Sequence, residues 1–448
     1  MKKIILALSF TLLVSNVVPI EAMAQSKHWD IKRRDEAANL TSAGLNYLTD
    51  KKQKKKRKEK DNIIFASKFF EKAVNVYPEN VTALNLLALC LTFTNETDRA
   101  LTYLQKASQL GGQDNENLAT TGIAQYLNHN FEVSVNVWNK LFKVSQDKGP
   151  ALTCLGYGLI RRGDFNKAIK CFEQAQQLAP QSAFVLDGAS RAYYFLGDFE
   201  NAKSFASRAN ALGEYNFTTA LKARADMMQG NYAEAQKGAR RLTSKPTQYK
   251  MGRSLAFLGF SKLYDLEADP FQLDNQDSGL SISARIKDMQ SFEPRKGQAN
   301  QQVQSYKPQA GKISENLDKV RASMSLSKDD YYLEYQLGLI QACMGDFSGA
   351  QNSFESALRR NPQAMVILLD LAYVYFRQDQ KAKAASCVQS FKQQWPNMKL
   401  SPFYEQMLLS PATNTANPNK QDPFATNQPK PNQPKEDPLD NNPKDSGF

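Results

Sequence analysis

A short turn sequence returns along the chain at a nearly constant interval, and this interval constrains the fold more than any other feature. "GDFNKA" begins at Gly163, "GDFENA" at Gly197 and "GDFSGA" at Gly345, and a looser "GNYAEA" begins at Gly230. The steps from Gly163 to Gly197 and from Gly197 to Gly230 are nearly equal, at roughly 34 residues each. A period of about 20 to 50 residues is typical of chains built from stacked copies of one small unit.

One copy of the unit, residues 149–182, has the pattern of two antiparallel helices. Gly156 and Ala168 are small residues, which leave room where paired helices approach most closely. Gly163 suits the left-handed backbone conformation that ends a helix. Asp164 is expected to accept backbone N–H bonds at the start of the second helix. The unit is therefore predicted to be a helical hairpin.

Small residues recur in register through most of the chain. At the first-helix contact they are Ala88, Gly122, Gly156, Ser190, Gly338 and Ala372. On the second helix they are Ala66, Ala100, Ala168, Ala202, Ala235, Ala350 and Ala384. This pattern resembles the tetratricopeptide repeat. The resemblance implies helix-turn-helix units of about 34 residues that stack into a right-handed superhelix.

The sequence therefore predicts an all-α fold, a right-handed superhelical solenoid of about nine helix-turn-helix hairpins, two of which carry insertions. A capping helix and a disordered tail follow. The predicted boundaries are 37–249 for units 1–6, 250–330 for a degenerate unit, 331–398 for units 8 and 9, 399–410 for the capping helix and 411–448 for the tail. Eight of the 19 prolines lie in that tail, a composition that buries too little apolar surface to fold.

Two insertions interrupt the period. The first, 51–61, is rich in lysine and falls within the first hairpin. The second spans about 270–311, is polar and rich in glutamine, and is predicted to be disordered. Insertions in solenoids map to loops on one face, which is often a binding face.

The lysine-rich insertion concentrates the basic charge of a chain whose formal net charge is +12. Within it, residues 51–60 hold eight basic residues and one glutamate, a local net charge of +7. The basic residues are Lys51, Lys52, Lys54, Lys55, Lys56, Arg57, Lys58 and Lys60. Such a run is typical of a solvated extension without a ligand. The alternative is a grip on anionic envelope glycan or lipid headgroups, with nucleic acid ranked lowest.

The amino terminus has the pattern of a secretory signal peptide, residues 1–24. Lys2 and Lys3 precede an apolar run that is too short to span a bilayer, and Ala22 and Ala24 form a small-residue cleavage site before Gln25. The residue directly after that site is Gln25 and not a cysteine, so a lipid anchor is not expected, and no later segment is apolar enough to cross a membrane. The predicted location is the periplasm or the periplasmic face of the outer membrane.

The sequence contains none of the common catalytic motifs, so we expect no enzyme, no cofactor and no bound metal. The only histidines are His28 and His129, and His129 occupies the turn position of a unit. The five cysteines, Cys90, Cys154, Cys171, Cys343 and Cys387, are scattered without paired spacing and are expected to be small buried residues. We expect Asp329 and Asp330 to cap the helix that follows them.

The resemblance also implies that first helices line a concave groove that binds an extended peptide or a partner's helix. The groove-facing positions are Asn85, Tyr126, Tyr157, Arg161, Asp187, Arg191, Tyr194, Arg224, Tyr335, Tyr373 and Arg377. Tyrosine and arginine commonly anchor interfaces. Arg191 and Arg224 occupy equivalent positions of adjacent units and are expected to hold a carboxylate or an acidic segment. The alternative is that these tyrosines pack between neighbouring helices.

Two functions are compatible with these features. The first is a non-enzymatic scaffold that binds partner proteins of an envelope or secretion assembly in its groove. The alternative is a binder of anionic envelope polysaccharide, peptidoglycan or lipid, acting through the lysine-rich insertion and the groove. A partner interaction that survives deletion of 51–60 favours the first function.

Overall fold

The computed structural model describes residues 20–49, 59–112, 114–212, 216–244, 282–283, 285–290 and 330–409. Several sequence predictions lie outside these residues: the signal peptide up to residue 19, most of the lysine-rich insertion, most of the degenerate unit and the tail.

The regular structure in these ranges is helical, with no strand among the described residues. Besides the helical residues 285–290, the described ranges contain seventeen helices in the order α1 Ile20–Thr49, α2 Glu59–Val76, α3 Val81–Phe93, α4 Thr97–Gln109, α5 Asn115–Leu127, α6 Phe131–Val144, α7 Lys148–Arg162, α8 Phe165–Leu178, α9 Ala183–Leu196, α10 Phe199–Leu212, α11 Asn216–Met228, α12 Tyr232–Ser244, α13 Tyr331–Met344, α14 Phe347–Arg360, α15 Val366–Arg377, α16 Lys381–Gln394 and α17 Pro402–Leu409. Helices α1 to α12 fall in the range predicted for units 1 to 6, and α13 to α16 in the range predicted for units 8 and 9, and these unit numbers are kept below. The predicted all-α repeat solenoid is confirmed.

The ends of the first unit differ from the predicted boundaries. Helix α1 begins at Ile20 rather than near residue 37, and it passes through the expected cleavage point before Gln25. Helix α2 begins at Glu59, so Lys60, the last basic residue of the insertion, lies on a helix.

The turn between the two helices of a unit uses the left-handed conformation at the repeating position. Gly163 has φ 84° and ends α7, as predicted. The same sign of φ occurs at Asn95, His129, Gly197, Gly230, Gly345 and Asp379. Because asparagine, aspartate and histidine tolerate this conformation better than most side chains, the period persists where glycine is absent.

The expected cap at Asp164 is wrong. Its carboxylate makes no hydrogen bond to the start of α8 and lies 2.9 Å from the guanidinium of Arg162 instead. The equivalent Asp198 and Asp346 do cap their helices, accepting the backbone N–H three residues along at 3.1 and 2.8 Å. The neighbouring Arg162 therefore competes with the helix for this one carboxylate.

Paired helices are locked by a ring that packs against the small residue of the first helix. Phe172 of α8 fills the space beside Gly156, where an added Cβ would lie 2.6 Å from the ring. Trp138 packs in the same way against Gly122, where an added Cβ would lie 2.1 Å from the indole ring. These glycines are therefore required by close packing and not by backbone conformation.

The C-terminal helices return to the hairpin turns of units 5 and 6. The indole N–H of Trp395 donates to the Leu196 carbonyl oxygen at 2.9 Å. The backbone N–H of Ser401 donates to the Met228 carbonyl oxygen at 2.8 Å. Both acceptors belong to the last turn of a first helix, where carbonyl groups lack partners within their own helix. The C-terminal segment therefore closes the exposed ends of α9 and α11.

Because the C-terminal helices pack back onto the earlier units, some first helices are enclosed that would otherwise face solvent. Every residue of α7 from Ala151 to Arg161 is buried, and so is every residue of α15 from Val366 to Tyr375. A helix that is buried on all sides lies in the interior of a fold.

Part of the long insertion is also ordered, which corrects the prediction of disorder over about 270–311. Residues 285–290 are helical, and the side chains of Ile282, Ile286 and Met289 are at most 3% exposed. Their spacing gives one apolar helical face, a signal that the surrounding polar sequence obscured. We call residues 282–283 and 285–290 the inner segment.

Helix α17 lies within the segment 399–410, where the sequence predicts a capping helix. The ring centroid of its Phe403 lies 5.1 Å from that of Phe376 and 6.1 Å from that of Tyr373. Helix α17 therefore covers the end of α15.

The expectation of buried cysteines is confirmed for four of the five. Cys90, Cys154, Cys171 and Cys387 are buried, Cys343 is half-buried, and none of these five described residues forms a disulfide. Among the described residues, no helix combines the length and the apolar character required to cross a membrane.

Candidate partner-binding surface

The predicted groove positions lie on first helices, but their side chains are enclosed by other parts of the chain. Ten of the eleven residues are at most 8% exposed. The side chain of the eleventh, Arg377, is 17% exposed. Neighbouring and returning helices surround these side chains, so the described positions do not form an open groove.

The groove positions of units 2 and 3 connect neighbouring helices. The side-chain amide of Asn117 donates to Asn85 at 2.8 Å. The ring of Tyr126 packs edge-on against Phe131, with centroids 5.1 Å apart. Asn85 and Tyr126 thus support the stacking of the helices.

A buried polar group joins units 4 and 5. The Tyr157 hydroxyl donates to the Asp187 carboxylate at 2.8 Å, and Arg191 pairs with the same carboxylate at 2.8 Å. The Arg191 guanidinium also lies 5.4 Å from the centre of the Tyr157 ring. Arg191 therefore pairs with a carboxylate one turn away on its own helix.

Arg224, the equivalent of Arg191 in the next unit, acts on a second cluster. Its charge acts on the hydroxyls of Tyr194 and Tyr335, both of which are fully buried. Burial raises the pKa of Tyr194 to about 12, while Arg224 opposes this rise. Arg191 and Arg224, although equivalent in the repeat, therefore act on different buried groups: Arg191 on Asp187, and Arg224 on Tyr194 and Tyr335.

Arg161 binds a carboxylate that is 169 residues away in the sequence. Its guanidinium pairs with Asp330, whose side chain is fully buried, and lies 4.4 Å from the ring centres of both Phe131 and Tyr332. The imidazole of His129 lies 3.6 Å from the same carboxylate. Such a dry, charge-assisted contact is stronger than a surface ion pair.

Asp330 also caps α13, as the sequence predicts, by accepting the backbone N–H groups of Tyr332 and Leu333 at 3.0 and 3.4 Å. Burial alone would raise the pKa of this carboxyl. Arg161 and His129 overcome that effect, so the pKa of Asp330 is lowered. One carboxylate thus orders the start of α13 and fixes it to unit 4.

The groove positions of units 8 and 9 bind the inner segment. The Tyr373 hydroxyl donates to the Asp288 carboxylate at 2.6 Å, and Arg377 pairs with that carboxylate as well. Arg285 pairs in turn with Asp370, a buried acid of α15. The Tyr335 hydroxyl donates to Asp370 at 2.9 Å.

Three of these polar partners were absent from the sequence prediction. Asp370 lies on α15 among apolar residues, a pattern that could have marked it as a buried acid in need of a cation. Arg285 and Asp288 are three residues apart beside Ile282 and Ile286, so the helical spacing was present in the sequence.

Comparisons with known proteins agree with the repeat pattern. Two tetratricopeptide repeat family models match residues 149–182 and 335–398. No curated protein matches the chain in sequence.

Solved structures with a similar arrangement include three with low sequence identity. PilF of Pseudomonas aeruginosa is 15% identical with a TM-score of 0.40, and the match covers 52% of this chain and 99% of that one. PilW, a type IV pilus biogenesis factor, is 15% identical with a TM-score of 0.42, covering 47% and 93%. YrrB, a protein with an unusual peptide-binding site, is 16% identical with a TM-score of 0.34, covering 43% and 91%. Residues 149–182 and 335–398 are tetratricopeptide repeats, and the described helices form an all-α repeat solenoid.

Proposed function

We propose that the protein is a non-enzymatic scaffold of the bacterial cell envelope that binds peptides or helices of partner proteins. One observation carries this proposal. Arginine and tyrosine side chains at groove positions already bind carboxylates supplied by distant parts of the chain: Arg161 binds Asp330, and Arg377 with Tyr373 binds Asp288.

This chemistry suits the recognition of another protein. Arginine and tyrosine anchors in dry surroundings contribute most of the binding energy at typical interfaces. A carboxylate that receives both a guanidinium and a hydroxyl is held in position and in orientation. The proposed binding residues are therefore those of units 8 and 9, where Tyr373 and Arg377 already hold a helical segment.

The proposed location is the periplasm or the periplasmic face of the outer membrane. Support comes from the sequence of residues 1–24, with its paired lysines, short apolar run and small-residue site. The proposed partners are proteins of an envelope or secretion assembly. Anionic glycan or lipid, bound by the lysine-rich insertion, is the alternative ligand.

Crosslinking in intact cells followed by mass spectrometry separates these two functions. We compare the natural chain with one that lacks residues 51–60 and with a control of full length in which the eight basic residues of 51–60 become glutamine. We expect the same partner proteins to be crosslinked to all three chains, because the binding residues lie on the repeat helices. Loss of every protein crosslink in both altered chains, together with loss of glycan or vesicle binding, would instead support the alternative.

A further inference from the structure

The inner segment contacts units 8 and 9 through two oppositely charged side chains. Arg285 pairs with Asp370, lies 3.0 Å from the Tyr404 hydroxyl and stacks 4.3 Å from the centre of the Tyr373 ring. Asp288 accepts hydrogen bonds from Tyr373 and Arg377. Asp370 of this surface thus pairs with Arg285 of the segment, and Arg377 pairs with Asp288. We call this surface, formed by Asp370, Tyr373 and Arg377 of α15 and by Tyr404 of α17, the Arg/Asp site.

The inner segment contacts the Arg/Asp site with one of its faces, and outside that face Gln236 of α12 donates a hydrogen bond to Ser283 at 2.9 Å. Residues three or four positions apart share a helix face, so Arg285 and Asp288 point the same way. Ile282, Ile286 and Met289 are buried beside them, whereas Lys287 is exposed. The bound pattern is therefore an amphipathic helix with arginine and aspartate one turn apart and with apolar residues three positions before, one after and four after the arginine.

Six residues are too few to form a stable helix by themselves in water, so contacts with the rest of the fold hold the helical conformation of 285–290. The Arg/Asp site supplies those of Arg285 and Asp288. The site depends on the helix in turn, because departure of the helix would remove the ion-pair partners of Asp370 and Arg377, and breaking a largely buried ion pair is costly. Another helix with the same pattern would restore all of these contacts. Replacing the inner segment with such a helix would therefore leave Asp370 and Arg377 paired, whereas simple departure of the segment would not.

We propose that the Arg/Asp site is a docking site for a partner protein's amphipathic helix of the pattern described above, and that the inner segment is an internal mimic of that helix. This inference rests on the proposed scaffold function, because it names the site and the kind of partner. The mimic keeps the site filled until a matching helix displaces it.

The test uses the full chain and a fluorescent peptide of residues 280–292, with binding measured by anisotropy. The double substitution Arg285→Ala with Asp288→Ala weakens the internal competitor and leaves the Arg/Asp site intact. We expect the peptide to bind this variant at least about tenfold more tightly than the natural chain, because an occupied site reduces apparent affinity. Lys287→Ala, on the exposed face, is the matched control and should bind as the natural chain does.

Two further measurements establish specificity. Adding Arg377→Ala to the double variant should abolish the gain in affinity, and a peptide in which the arginine and the aspartate exchange places should not bind. Failure of the natural peptide to bind the folded double variant would overturn the proposal.

A second experiment does not depend on the double variant folding. Hydrogen exchange of residues 285–290 in the natural chain should become faster when saturating peptide is added, because the internal helix is displaced. Unchanged exchange would show that the inner segment is a fixed part of the core and would contradict the proposal. A concentration-dependent dimer that Arg377→Ala abolishes would assign the site to a second copy of the chain and would also overturn it.

These outcomes differ from a failure of the scaffold function. If crosslinking detects partner proteins and the peptide does not bind, only the assignment of the Arg/Asp site is wrong. If the peptide binds and no partner protein is crosslinked in cells, the scaffold function fails while the site remains able to bind a helix.

Discussion

Replacing Asp330 with asparagine should lower the free energy of unfolding by about 3 kcal/mol. Asparagine is as good a helix cap as aspartate, so the start of α13 keeps its cap. The charge, however, is lost, and the largely buried guanidinium of Arg161 loses its ion-pair partner. The loss in unfolding free energy therefore measures the strength of the contact between units 4 and 8. Urea unfolding of the natural chain and of the variant gives this difference.

The control for this substitution is Asp164→Asn, which removes a partly exposed carboxylate paired with Arg162. Its expected effect is below about 1 kcal/mol, because solvent screens exposed pairs. Equal effects of the two substitutions would contradict the buried contact.

The pH dependence of stability gives a second readout for Asp330. Because folding lowers the pKa of this carboxyl, its contribution to the free energy of unfolding is present above the ordinary pKa of 3.8 and is lost as the pH falls below that value. Asp330→Asn should lack this part of the acid dependence.

Replacing Phe172 with alanine should cost about 4 kcal/mol of folding stability. The ring is fully buried and packs against two glycines, since a Cβ added at Gly156 or Gly188 would lie 2.6 or 2.3 Å from it. Neither glycine has a side chain that could move into the space left by the ring. The cavity should therefore stay largely open, which places the cost toward the upper part of the usual range.

Leu178→Ala on the same helix is the control, because Leu178 is 58% exposed. Its expected effect is within about 0.5 kcal/mol. If Phe172→Ala proved as mild as Leu178→Ala, the register in which the two helices of a unit pack would be wrong.

The hairpins could be predicted from the sequence because their contacts are local. The ring at Phe172 meets Gly156 only 16 positions away, and each unit repeats the same meeting of small and large residues. The turn conformation at Gly163 follows from the residue itself. A period of about 34 residues therefore carries enough information to identify the helices and their pairing.

The surroundings of the groove positions could not be predicted in this way. Arg161 occupies a groove position in the repeat, but its partner Asp330 lies in a unit four positions further along the solenoid. Nothing in the period specifies which distant segment covers a first helix. The tyrosines illustrate the same limit, because packing between helices and binding of a partner require the same residue type at the same position. The structure favours packing for Tyr126 and Tyr157.

The central claim is that units 8 and 9 return to the turns of units 3 to 6 and enclose the groove positions between them. Glu132 and Arg360 line one cavity of about 470 Å³ at this contact, although they belong to units 3 and 8. Spin labels at these two positions, attached through non-natural amino acids so that the native cysteines stay unlabelled, report their separation by electron–electron resonance. We expect a single narrow distribution at the short limit of the method. A broad distribution, or one centred at long distance, would show that the C-terminal repeats do not return and would contradict the account.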